Sequence, residues 1–206
     1  METVEKNVYE AYENIAELYD KELWNDMPYN NQIDEFLRML KENKVLDVGC
    51  AMGSFTKYVA DKGYKIDGID FSPKMIEIAN KKVKNADFYV MNMLDITLSE
   101  KYNGIMAINS LIHIEKSKMI KVIEEFKKVL EADGIIFIIL QEGDGEKYIK
   151  EPLNADILEF VNFYQIDEIM RLFEKCNLEI IKMEKIRDDA EFELGNNQLA
   201  FYLRKK

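Results

Sequence analysis

At 206 residues, with 28 lysines and arginines against 39 aspartates and glutamates and a net charge of −11, the chain suits one domain of ordinary size that needs no disulfide or metal to build a core. The acidic balance opposes close binding to a phosphate polymer, and the one basic cluster, Arg204-Lys205-Lys206, reads as a solvated tail after the last strand. Two cysteines, Cys50 and Cys176, make no metal spacing and fit a reduced, cytoplasmic setting; no amino-terminal leader pattern and no stretch near the ~20 apolar residues of a membrane span occurs.

Along the chain, Val4, Val8, Ala11, Tyr12, Ile15 and Leu18 recur at spacings of three and four, which predicts an amphipathic helix from Thr3 to about Tyr19. Gln32 to Leu40 predicts a second helix. Val45-Leu46-Asp47-Val48 is a short apolar strand that runs into the loop Gly49-Cys50-Ala51-Met52-Gly53, after which Phe55, Val59 and Ala60 fall on one face of a helix. A strand feeding a helix through such a loop sets free backbone N–H groups and the positive end of a helix dipole where a polar ligand can sit. The next strand closes on Asp70, 17 positions after Gly53, near the spacing at which nucleotide-binding βαβ units put a ribose-binding carboxylate. Ser72 is placed to cap the following helix and Pro73 suits its first turn, so Asp70 lies at a carboxyl-terminal strand edge.

Further on, a turn at Tyr102-Asn103-Gly104 is followed by a fourth strand that stops near Asn109. His113, the only histidine, titrates in a range that suits acid–base work or substrate orientation; between Ile112 and Ile114 it equally suits a structural donor that caps carbonyls. Lys118 to Leu130 predicts a helix with Ile120, Ile123, Phe126, Val129 and Leu130 inward, ended by Glu131-Ala132-Asp133-Gly134. Ile135 to Leu140 is an uninterrupted apolar strand, as in a parallel sheet covered on both faces. The acidic loop from Gln141 to Glu146 follows a strand's carboxyl end and so belongs to a site's rim. Phe160, Phe163 and Tyr164 either line a pocket or support the sheet, ahead of a helix from Ile166 to Cys176. Leu178 to Lys185 and Asn197 to Leu203 suit a closing antiparallel pair, with Gly195-Asn196-Asn197 as turn residues.

The loop from Asp47 to Gly53, together with Asp70, closely resembles the class I methyltransferases that use S-adenosylmethionine, and Phe88 to Ile96 looks like that family's third strand and the turn after it, Asn92-Met93-Leu94. That family has an acid-x-Gly-x-Gly-x-Gly loop after its first strand; here Ala51 stands at the middle glycine, where a Cβ restricts positive φ. The resemblance implies an α/β, Rossmann-like doubly wound fold: a seven-stranded, mostly parallel sheet with an antiparallel C-terminal hairpin and helices on both faces. It implies a single domain made of a helical cover (1–43), a cofactor-binding core (44–140) and a substrate-side loop, helix and terminal hairpin (141–206).

The same resemblance implies the site. Gly49, Cys50, Ala51 and Gly53 would pack against the methionine part of the cofactor, Asp47 orient its ammonium end, and Asp70 accept both ribose hydroxyls. Phe71 and Met75 would border the adenine, Asn92 meet its edge, and Met93 and Leu94 flank it. Asn109 joins this set, and Tyr19, in a stretch resembling the family's recurring Ala-x-x-Tyr-Asp feature, would touch the cofactor carboxylate or the substrate. His113, beside the transferable methyl, is the candidate catalytic residue. The implied activity is methyl transfer by in-line displacement to a small-molecule acceptor, leaving S-adenosylhomocysteine, with no metal, nucleic acid or membrane partner. No Asn/Asp-Pro-Pro-aromatic tetrad follows the fourth strand, which argues against the branch that methylates planar nitrogens of DNA and protein glutamine. Two alternatives stay open. One is a non-catalytic S-adenosylmethionine-binding module; the other is a nicotinamide-dependent oxidoreductase, which shares the loop and second acid but not the third-strand turn and terminal hairpin.

Overall fold

The computed structural model describes residues 3–187 and 197–206, so the turn residues Gly195 and Asn196 lie outside the described residues. Its centre is set by the apolar run that ends strand β5 (Leu130–Gln141). Every side chain from Ile136 to Leu140 is fully buried, and alternate residues enter opposite cores. Ile136, Ile138 and Leu140 pack with the apolar face of helix α5 (Met119–Val129) and with Ile169 and Phe173 of α6 (Ile166–Lys175). Ile135, Phe137 and Ile139 pack with Ile33, Phe36 and Leu37 of α2 (Asn30–Met39) and Val59 and Ala60 of α3 (Ser54–Asp61). Each buried Ile, Leu, Val and Phe side chain here contributes on the order of 1.5–3 kcal/mol, and burial on both faces explains why the strand has no polar alternation.

Around β5 the sheet runs β3-β2-β1-β4-β5-β9-β8, built from β1 (Lys44–Val48), β2 (Lys65–Asp70), β3 (Asp87–Val90), β4 (Tyr102–Ile108), β8 (Leu178–Arg187) and β9 (Asn197–Lys205). The first five pair in parallel, whereas β9 is antiparallel to both β5 and β8. The order reverses between β1 and β4, where an open α/β sheet has its crevice, outside the strands' carboxyl ends. Helix α1 (Thr3–Leu23) lies over that crevice and contacts α4 (Pro73–Lys82).

Several local expectations are met at atomic detail. The Ser72 hydroxyl accepts the Met75 N–H as the cap of α4, with Pro73 in its first turn. Others are corrected. α5 ends at Val129 because Leu130 is already extended, and Glu131 to Gly134 belong to β5 rather than to a turn. Ile120 faces out, 38% exposed. The basic end of the chain is not a free tail: Arg204 and Lys205 lie in β9, where Arg204 Nε meets Glu179 at 2.7 Å and Lys205 Nζ donates to the Leu130 carbonyl at 2.6 Å. The expected acidic loop survives as residues 142–145, but a separate hairpin, β6 (Glu146–Glu151) with β7 (Asn154–Asn162), follows it where no strand pair was expected, and Phe163 and Tyr164 after it join the core. The hairpin docks on α1 through Asn7, whose amide donates to the Leu158 carbonyl and accepts the Phe160 N–H.

Candidate active site

The β1–α3 loop is wound tightly enough to use most of its own amides. Gly49 and Cys50 donate to the Ile69 carbonyl, Gly53 to Cys50, and Ala51 to the Asp70 carboxylate. The loop is therefore held by β2 rather than left as a row of free donors. Gly49 has φ +73, and a Cβ there would lie 2.3 Å from Ser110 Cβ, so glycine is required by both angle and space. Ala51 takes φ +47 and Asn109 φ +51; these two non-glycine residues in left-handed geometry both line the same cavity.

That cavity has a volume of about 310 Å³ and lies between the ends of β1, β2 and β4, the α1 face and the hairpin. Of the residues singled out from sequence, Gly49, Cys50, Ala51, Asp70, Phe71, Asn92, Met93, Asn109, His113 and Tyr19 line it. Four do not. Asp47 is buried behind the loop, where Thr56 Oγ1 donates to it at 2.6 Å; Gly53 caps α3; Met75 is buried with Ala16 and Met52; and Leu94 joins the core. These four support the wall from behind rather than forming it.

Asp70 is the cavity's buried anion. Its Oδ2 accepts the Ala51 N–H at 3.0 Å and its Oδ1 the Ser72 N–H at 2.9 Å. Burial raises it to about 6, against the lowering pull of those two amides. Asp47 is pushed up to about 7, by burial first and by Asp70, with the Thr56 bond opposing. Burial, then Asp47 and Asp70, also push the Cys50 thiol well up. In the third-strand turn, Asn92 Oδ1 accepts the Leu94 N–H at 2.9 Å, fixing Met93 toward the cavity.

His113 ends a short 3₁₀ turn, and both of its ring nitrogens are engaged. Nδ1 lies 2.9 Å from the Phe160 carbonyl oxygen, which can only accept, so Nδ1 carries the proton. Nε2 then offers its lone pair to the Tyr12 hydroxyl at 2.7 Å. Burial lowers the ring to about 4, with the Phe160 bond opposing. His113 is thus a neutral tie between α1 and β7, and its basic lone pair is occupied.

Tyr12, Tyr29 and Glu159 also line the cavity, and no motif in the sequence marked them. Tyr29 joins Asn109, whose Nδ2 donates to its hydroxyl at 2.7 Å. Tyr12 packs edge-on to both Tyr19 and His113, with ring centroids 5.6 and 5.2 Å away. Glu159, on β7, is 2% exposed, and its Oε2 has no hydrogen-bond partner. The available signal was a lone acid between Leu158 and Phe160 in an otherwise apolar run.

Residues 45–134 match the family model described as a methyltransferase domain. An uncharacterised methyltransferase of Staphylococcus carnosus is 27% identical over 143 residues, covering 68% of this chain and 66% of that protein. Among solved structures, the CcbJ methyltransferase of Streptomyces caelestis superposes with a TM-score of 0.75 at 15% identity, covering 94% of this chain and 97% of that one. The N-methyltransferase NodS of Bradyrhizobium japonicum, in complex with S-adenosylhomocysteine, gives 0.70 at 17% identity, covering 97% and 98%. At these identities the two structural likenesses are likenesses of fold.

Proposed function

We propose that this chain acts as a class I S-adenosylmethionine-dependent methyltransferase whose acceptor is a small molecule held in the cavity beneath α1 and the β6–β7 hairpin. The carrying observation is convergence: the glycine loop, Asp70 and the Asn92-Met93 turn, separated in sequence, border one cavity at the switch point of the sheet.

The residues present fit the cofactor. Each Asp70 oxygen accepts one main-chain N–H and keeps a further lone pair, enough for the two hydroxyls of a ribose. Asn109 Oδ1, on the cavity wall, has no partner. Gly49 keeps clear the space that a side chain would fill against Ser110. In this reading Gly49, Cys50 and Ala51 support the methionine part, Asp70 the ribose, and Phe71, Asn92 and Met93 the adenine. Asp47, through Thr56, positions the loop instead of touching the cofactor.

When bound, S-adenosylmethionine supplies an electrophilic methyl group on a sulfonium. The chain's own part is to align the acceptor and exclude water, which α1 and the hairpin do by roofing the cleft. His113, held neutral between Phe160 and Tyr12, positions that roof. Among the described residues no helix is long and apolar enough to cross a membrane. With two buried free thiols, Cys50 and Cys176, a reduced cytoplasmic setting is our reading.

The acceptor class is tested with methyl-labelled S-adenosylmethionine and a cell extract split by size. Label is expected in the small-molecule fraction; label confined to RNA or protein would refute a small-molecule acceptor.

A further inference from the structure

Glu159 is a carboxyl group in the roof of the cavity with nothing to pair it. It is 2% exposed, it lines the cavity, and its Oε2 has no hydrogen-bond partner. Burying an unpaired carboxylate is costly, and such a group persists where a ligand completes it. Its neighbour Glu151 has a structural task, since Oε2 accepts the N–H groups of Leu153 and Asn154 across the hairpin turn.

The charge of the surroundings specifies that ligand. Glu5, Asp26 and Asp70 also line the cavity, and no lysine or arginine does so among the described residues. His113 is neutral and fully engaged. The rings of Tyr12 and Tyr19 stand nearby at 5.6 Å from each other, aromatic walls of the kind that attract cations. An anionic acceptor would meet like charge, and a neutral alcohol would leave Glu159 uncompensated. A tetrahedral ammonium satisfies the carboxylate and the rings together.

Resting on the methyltransferase reading above, we propose that the acceptor is an aliphatic amine whose cationic nitrogen is received by Glu159. In its ionised form, which the approaching cation favours, Glu159 takes one proton from the ammonium, and this frees the nitrogen lone pair. The N–C bond to the methyl carbon then forms as the S–C bond breaks, with that electron pair retained on sulfur. The product is the N-methylated ammonium, and Glu159 returns its proton to solvent. The groups facing Glu159 are Glu151 from β6 and Tyr12 and Tyr19 from α1. Burial first, then Glu151, raises Glu159 to about 8, a value suited to exchanging a proton with an amine near neutrality.

The test uses the full chain loaded with S-adenosylhomocysteine and titrated calorimetrically at pH 7.5 with benzylamine and hexylamine against benzyl alcohol and hexanol. The amines are expected to bind at least tenfold more tightly than the matched alcohols. Glu159→Gln is expected to erase that preference while leaving affinity for S-adenosylhomocysteine within twofold, and Glu159→Asp to retain part of it. Equal binding of amines and alcohols to the wild type, or an unchanged preference in Glu159→Gln, would overturn the proposal. A loss of S-adenosylhomocysteine affinity in Glu159→Gln would also overturn it, by assigning the carboxylate to the cofactor's own amino end. If the wild type bound no S-adenosylhomocysteine, the methyltransferase reading itself would fall.

Discussion

Gly49 and Ala51 sit two positions apart, both in left-handed backbone, yet side-chain bulk has different consequences at each. At Gly49 a methyl group meets Ser110 Cβ at 2.3 Å, so Gly49→Ala should lower unfolding free energy by about 2–3 kcal/mol or more and weaken cofactor binding. At Ala51 the relief of left-handed strain and the entropy of a new glycine nearly cancel, so Ala51→Gly should change stability by no more than about 1 kcal/mol. Denaturant titration of both variants checks the contrast. The titratable residues give a second expectation. Glu159 is raised from 4.5 to about 8 in the fold, so its stability contribution is complete below 4.5 and is lost as the pH rises through 8. Ligand-free Glu159→Gln should therefore melt several degrees above the wild type at pH 9 and level with it near pH 5. His113 runs the other way, its contribution complete above 6.5 and lost as the pH falls through about 4. Asp70 and the Ser72 cap were legible in the sequence because each sits where strand end, cap and proline coincide. The inward turn of Asp47 was not, since its partner Thr56 is set by the helix that follows.

At the scale of elements, the hairpin and α1 form one roof. Asn7 is the link, giving a donor to Leu158 and an acceptor to Phe160 with a single amide. Asn7→Ala should cost about 1–3 kcal/mol of local stability and speed hydrogen exchange in residues 154–162, with the sheet's protection unchanged. Uniform exchange across the variant and wild type would show that other contacts hold the roof. The long elements could be read from the chain because their apolar spacing is sustained, as in α1, α5 and β5. The hairpin could not. β6 carries two glutamates and two lysines in six residues, and the turn between the strands has a proline but no glycine, so neither composition nor turn chemistry signals a strand pair. Its order comes from tertiary contact with α1, which a local reading does not contain.

On the scale of the whole molecule, the topology fixes where chemistry can occur. The parallel strands deliver the loop after β1, Asp70 at the end of β2, the Asn92 turn after β3 and Asn109 after β4 to the same edge of the sheet. This convergence was legible from sequence because each strand ends on a polar or glycine signal. The depth of the cavity was not, because α1 and the hairpin close it from outside that frame. Under the proposed function Asp70 anchors the ribose, and the most direct test is calorimetric titration of wild type and Asp70→Ala with S-adenosylhomocysteine, with cooperative thermal unfolding as the check that both are folded. Loss of two hydrogen bonds to a carboxylate, about 1.5–3 kcal/mol each, predicts that affinity falls by more than tenfold in the variant. An affinity unchanged in folded Asp70→Ala would contradict the account.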